Sequence, residues 1–275
     1  MRSVLKSLLL TCVLSGALAA SVSAVVLTDT NPDGSINTGD FQKFTALTSG
    51  DLNDTNNTFT GDSLIQGNVG IGGKGNFSMS AGTVNGDIYM NSFGKFTKSG
   101  PAQHNGTVIS NQDAVLNDAL KDARDLSSLA GMEASTANYT VNGNPQVLMT
   151  VNTNQNTTVM ANPFATKVVL NLQDFVLTGG TFTLSGNVNQ TFIINVGRNF
   201  SLNNASVVLA GGIMSSHILF NIKGPGSQVT LNQGTKLYGI VVATQRKVSL
   251  AGGKVFGKVV AEQLSLSGGG QIISQ

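Results

Sequence analysis

Five hydroxyl residues, Thr183, Ser201, Thr230, Ser249 and Ser265, hold the second place in a recurring four-residue motif. The motif runs apolar, hydroxyl, leucine, then small or polar. Its copies are Phe182-Thr183-Leu184-Ser185, Phe200-Ser201-Leu202-Asn203, Val229-Thr230-Leu231-Asn232, Val248-Ser249-Leu250-Ala251 and Leu264-Ser265-Leu266-Ser267, with Phe77-Ser78-Met79-Ser80 as an outlying copy. On a strand, neighbouring side chains point to opposite faces, so the apolar pair turns inward and the hydroxyl outward. Copies stacked about 4.8 Å apart would set the hydroxyls in a regular column. Such a column can order water or hold an extended surface; Thr and Ser also simply suit exposed strand positions.

Catalytic chemistry finds little to work with. Glycoside hydrolysis commonly needs two close carboxylates. The second half of the chain offers only Asp174 and Glu262, far apart in sequence, and both read as surface charge. His104 and His217 are the only histidines, and neither has a second ligand at zinc spacing. His217 beside Ser215 and Ser216 makes no triad without a positioned acid. Gly70 to Gly75 lack the Lys-Ser/Thr of a phosphate loop and read as turns. Asp51, Asp54 and Asp62 leave calcium open, but the pattern of a calcium loop is missing. Asn76, Asn156 and Asn204 begin Asn-x-Ser/Thr sites, as chance allows in a chain with 28 Asn. No enzyme, metal or cofactor is expected.

The elements that position the hydroxyls are short strands with Gly and Asn turns. The five main copies of the motif are separated by 18, 29, 19 and 16 residues. A second motif interleaves: Leu237-Tyr238-Gly239-Ile240-Val241-Val242-Ala243 matches Val255-Phe256-Gly257-Lys258-Val259-Val260-Ala261. Ile65-Gln66-Gly67-Asn68-Val69 and Val84-Asn85-Gly86-Asp87-Ile88 are similar. Two alternating strand types at such spacing mark a β-solenoid, in which each coil needs its neighbours to bury its apolar edge. A β-sandwich is the rival arrangement. Phe182, Leu184, Phe200, Leu202, Val229, Leu231, Val248, Leu250, Leu264 and Leu266 should stack inside.

Residues 111–131 differ. Leu116, Ala119, Leu120, Ala123, Leu126, Leu129 and Ala130 fall on one stripe at three- and four-residue steps, which predicts a single amphipathic helix. Ser110 or Asn111 suits its start and Gly131 its end. The second strand type is apolar on both faces, with Val241 and Val259 on one and Tyr238, Val242, Phe256 and Val260 on the other. The helix is the natural cover for the outer face.

Charged residues are only 11% of the 275-residue chain, and there are 33 Gly and no Trp. Residues 25–133 carry 6 basic and 12 acidic groups; residues 134–275 carry 8 basic and 2 acidic groups. The second half's +6, spread over so many residues, is too thin for nucleic-acid binding. Arg2 and Lys6, the apolar run Leu8 to Leu14 and the small-residue sites at Ala17-Leu18-Ala19 and Val22-Ser23-Ala24 read as a secretory leader over residues 1–24. That run is too short to span a bilayer. The single Cys12 leaves with it, and Thr11 before it argues against a lipid anchor. A polar segment over 25–60 and a solenoid domain over 61–275 follow. No later stretch reads as a membrane span, and nothing sets an oligomeric state.

Gly67-Asn68-Val69-Gly70-Ile71-Gly72-Gly73, the helix ending Leu126-Ser127-Ser128-Leu129-Ala130, and the closing series Ile218-Leu219-Phe220-Asn221-Ile222, Tyr238-Gly239-Ile240-Val241-Val242-Ala243 and Gly257-Lys258-Val259-Val260-Ala261 resemble the ice-binding-like family of secreted β-solenoid domains, most of all its adhesive surface-protein relatives. The likeness runs over residues 41–272. It implies a mainly β fold: a right-handed solenoid of triangular section with one long helix alongside, and binding without catalysis. Adhesive relatives often continue into a sorting tail or anchor; none is read up to Gln275, so attachment to a cell is not expected. Thr178-Gly179-Gly180-Thr181 is the one close match to the short Thr-Gly-x-Thr pattern of ice-binding members. The flanks of the hydroxyl column carry Lys247, Gln228 and Gln263, long side chains that suit an ice surface poorly. The leading expectation is therefore an exported, adhesin-like module for an extracellular polymer or matrix, with an ice surface as the alternative partner.

Overall fold

The computed structural model describes residues 30, 31, 33–50 and 56–275. The leader and two of the candidate calcium ligands, Asp51 and Asp54, lie outside the described residues. The chain forms stacked rungs of parallel, in-register strands on three sides. The first side runs, rung by rung, through Val151–Thr153, Phe175–Leu177, Phe200–Leu202, Val229–Asn232, the second halves of Lys236–Ala251 and Lys254–Ser267, then Asn56–Phe59, Asn76–Met79 and Phe96–Lys98. Nine rungs at about 4.8 Å span about 38 Å. The ten residues expected inside are all buried, none more than 3% exposed. Phe175 and Phe200 stack in this core with centroids 5.2 Å apart.

Spatial order departs from chain order. Residues 46–109 wind outward from the middle of the stack. A helix, Asp113–Met132, then carries the chain along the second side, and residues 151–273 wind back until the two halves meet. There Ala46–Thr48 pairs with 259–261, Thr58 with Ser265, and Gln271–Ile273 with Leu64–Gln66. Twenty helical residues cover about 30 Å, most of the stack.

The helix stripe seals Val169, Ile193, Leu219, Ile240, Val242, Val260 and Leu47. Tyr238 and Phe256, which the alternating pattern put on the helix-covered face, are not under it. The strand turns a corner at Gly239 and Gly257, with φ of 144° and 148°. Tyr238 and Phe256 therefore face outward on the third side, stacked at 4.6 Å. Glycine is required at this corner, since a Cβ on Gly257 would lie 2.1 Å from the Gly239 carbonyl oxygen. The start of the helix also differs from expectation. Gln112 is the N-cap and gives the helix no side-chain capping bond, its amide donating to the Ser110 carbonyl instead, while Asn111 adopts φ 58°. Asp113 instead accepts from the Ser92 backbone N–H.

The helix C-terminus is capped by the sheet. Asn171, Asn195 and Asn221 lie side by side on successive rungs. Their amides donate to the carbonyls of Glu133, Ala130 and Ser127 at 2.8, 2.7 and 2.9 Å. Ala130 O also accepts the Glu133 N–H at 3.3 Å, so the asparagines add bonds that tie the last turns of the helix to the sheet. Asn195 and Asn221 also donate to the neighbouring Asn171 and Asn195 side chains.

The polar N-terminal segment is part of the solenoid over residues 33–50. Phe41, Phe44 and Leu47 are buried beneath the helix, and Ala46–Thr48 fills a rung between 259–261 and Val69–Ile71. Asp40 N–H donates to Asp122 on the helix at 2.7 Å. The apolar residues at three-residue steps, not the surrounding Thr and Asn, decide the outcome. At the corner between second and first sides, Arg246 is 2% exposed. Its guanidinium donates to the carbonyls of Gly224 at 2.8 Å, Lys223 at 2.7 Å, Gly197 at 3.1 Å and Arg198. One cation thereby ties together corners of three rungs.

Candidate functional site

The first side carries the hydroxyl column. Ser201, Thr230, Ser249, Ser265, Thr58, Ser78 and Thr97 occupy one position on seven consecutive rungs. Ser201 and Thr230 oxygens lie 2.7 Å apart and those of Thr58 and Ser265 2.9 Å apart, so each pair shares a hydrogen bond. All seven are partly or fully exposed. Inward neighbours hold the strand, and the period of two turns the hydroxyls out.

Thr183 is a correction to the expected column. It pairs with Thr158 and Val208 on the third side. The residue that precedes Ser201 in the column is Val176. The cause is rung length. In this part of the chain a rung takes about 25 residues, as Phe175 to Phe200 shows, so an 18-residue step changes sides instead of rungs. Thr58 and Thr97 escaped the sequence reading for a different reason. Asn57 replaces the usual inward apolar residue before Thr58. Its amide is held by the Asn76 carbonyl at 3.0 Å and by Leu264 N–H, which donates to Oδ1 at 2.8 Å. Lys98 takes the inward leucine place on the end rung.

Flanking positions divide the side in two. Two residues beyond the column, the rungs near the junction carry Ser267, Thr60, Ser80 and Ser99, all exposed or partly so. Backbone bonds from Thr60, Ser80 and Ser99 N–H to the preceding rungs keep these residues in line. On the earlier rungs the same place holds Asn203, Asn232 and Ala251. The opposite flank carries Asn199, Lys247, Gln263, Asn56, Asn76 and Lys95. Gln263 is pinned, its amide donating to the Asn56 carbonyl at 2.6 Å.

The two carboxylates of the second half do not meet. Asp174 and Glu262 lie four rungs apart, about 19 Å at the rung spacing, well beyond the separations glycosidases use. Asp174 is held by Arg198 at 2.5 Å and Asn199 at 2.8 Å, and the Arg198 bond draws its pKa below the usual value. His104 bonds the Gly86 carbonyl and His217 the Gln190 carbonyl. Among the described residues no cluster of three His, Cys, Asp or Glu is placed to hold a metal. No helix among them is long and apolar enough to cross a membrane.

Residues 52–269 match the model of the Ice-binding-like family. Three solved structures share the fold. An ice-binding protein from the Antarctic ascomycete Antarctomyces psychrotrophicus aligns over 86% of this chain and 97% of its own, with TM-score 0.56 and 16% identity. One from an Antarctic biological consortium aligns over 90% and 91%, with TM-score 0.58 and 17% identity. One from an Arctic yeast aligns over 89% and 96%, with TM-score 0.52 and 17% identity. No curated protein matches the chain in sequence.

Proposed function

The chain belongs to the Ice-binding-like family, and on that premise we propose that it is an exported protein that binds ice through the hydroxyl-bearing first side. The observation that carries this reading is the run of seven outward hydroxyls on seven consecutive rungs. Each hydroxyl offers one donor and two acceptor positions. Their spacing is set by the backbone ladder, so water meets a pre-ordered array and little ordering remains to be done on binding. The second side is closed by the helix, and the third carries the apolar Val208, Tyr238, Phe256 and Ile273. The structural neighbours are described as ice-binding proteins, the Arctic yeast one with antifreeze activity. Adhesion to a polymer or matrix, which the sequence put first, has no counterpart among these matches. The favoured hydroxyls are Ser201, Thr230, Ser249 and Ser265 with Thr58, Ser78 and Thr97.

Thermal hysteresis and ice-crystal shaping of the purified chain test this. Faceted crystals and a freezing gap are expected. Thr58→Tyr and Thr230→Tyr should each lose most of the gap with an unchanged circular dichroism spectrum, while Thr183→Tyr on the third side keeps it. Round crystals from folded protein would end the proposal. A gap lost only in Thr183→Tyr would move the site to the third side.

A further inference from the structure

At the corner between the second and third sides, two adjoining clefts of about 490 and 390 Å³ share Ser215, Ser216 and Gln275. The larger is walled by Leu209, Ile213, Met214 and Tyr238. The smaller is lined by Ser35, Thr38, Gln42, Ser274 and Lys258. Residues 33–38 of the N-terminal strap form its outer wall, fixed by Ile36 N–H donating to the Ser216 carbonyl at 2.8 Å.

Lys258 is half-buried and its ammonium donates to two strap carbonyls, Gln42 at 2.6 Å and Phe44 at 3.1 Å. An ammonium has three donors, and the third has no acceptor among the described residues. No carboxylate among them pairs with it either. Asp33, on the same strap, is held by the N–H and hydroxyl of Ser35. A half-buried cation without a counter-charge is costly, and a bound anion relieves it. Burial holds the Lys258 pKa below the usual lysine value, as expected for a charge that lacks its partner.

We propose that this cleft binds an acidic sugar of a polysaccharide: the sugar carboxylate meets Lys258, and its hydroxyls meet Ser215, Ser216, Ser274 and Gln275. The C–H face of the ring lies toward Tyr238 and Met214. Two features select this chemistry over a bare anion. The lining is rich in neutral hydroxyl and amide groups, which match vicinal sugar hydroxyls. An apolar wall adjoins them, as in sites that fix a ligand by a few polar groups. The cleft does not involve the first side, so this site stands apart from the ice reading.

Calorimetric titration of the purified chain with a short oligogalacturonate tests it, against its methyl ester and against acetate. The acid should bind and weaken with salt. The ester should bind about tenfold less tightly or worse, as loss of a charge-assisted hydrogen bond implies. Lys258→Gln should lose a similar factor. Because Lys258 also holds the strap, Ser216→Leu is the second variant. It fills the cleft with the lysine and its bonds intact, and it should abolish binding with unchanged melting. No binding of the acid, equal affinity for the ester, or unaltered affinity in either variant would overturn the proposal. Acetate binding as tightly as the sugar would reduce the site to an anion hole and overturn the sugar assignment. Ice shaping by Lys258→Gln should equal that of the parent chain whether or not the first side binds ice.

Discussion

Replacing Arg246 with methionine keeps the length and apolar stem of the side chain and deletes its fork. The fork donates to four carbonyls within 3.1 Å, on Gly197, Arg198, Lys223 and Gly224. Two effects oppose each other. Removing a buried cation returns its desolvation penalty, several kcal/mol. Leaving carbonyl acceptors without donors costs about 1 to 3 kcal/mol each where water cannot reach. The carbonyls belong to corner residues that are mostly exposed, so some will recruit water. The four dipoles already stand in for the hydration of the guanidinium, which shrinks the first effect. A net loss of about 1 kcal/mol per bond gives about 4 kcal/mol. In a chain of this size that lowers Tm by about 10 °C. Arg246→Lys should fall between, because an ammonium cannot span three corners as a planar fork does. Scanning calorimetry with both variants reads this directly. A Tm for Arg246→Met within about 2 °C of the parent, or above it, would show that the corners hold without the fork and refute the reasoning.

Leu231→Asp puts a carboxylate into a fully buried place between Leu202 and Leu250; the soluble yield and strand signal in circular dichroism should collapse, and a stable protein would reverse the inside/outside assignment. Asn195→Ala removes the donor to Ala130 O and to Asn171, and should cost about 2 kcal/mol. Hydrogen exchange should rise first over 126–132, and uniform exchange would place the cap elsewhere. Arg198 holds the Asp174 pKa below its usual value near 3.8. Its contribution to stability is therefore present above about pH 4 and fades as pH falls through the lowered folded value. The difference in urea midpoint between parent and Asp174→Asn should shrink below pH 4; a difference that grows there would reverse the sign.

Inward residues and the helix were legible because each obeys a local period. Phe200 and Leu202 must be inside by alternation, whatever their neighbours. The side on which a motif falls was not legible, because it depends on corner loops whose lengths leave the strand pattern untouched. The loops at 186–190 and 211–217 lengthen the early rungs, and Thr183 was misplaced for that reason. Asn57 hid Thr58, since a buried Asn satisfied from the next rungs looks polar in sequence. Tyr238 and Val242 were assigned to one face because alternation assumes a straight strand, whereas Gly239 bends it. The Asn171, Asn195 and Asn221 row appears in sequence only as three asparagines 24 and 26 residues apart.

The mid-stack junction has a consequence for how the rod is made. Thr58 meets Ser265 across 207 residues, so the closing contacts are among the most distant in the chain. Loop closure of that span must precede the contacts that reward it, which slows folding. Until residues 264–273 arrive, the edges of Asn56–Phe59 and Leu64–Gln66 stay open for pairing with other chains. Loss of the final rung would not shorten the rod from one end; it would divide it at its centre, leaving the helix as the main tie between two halves.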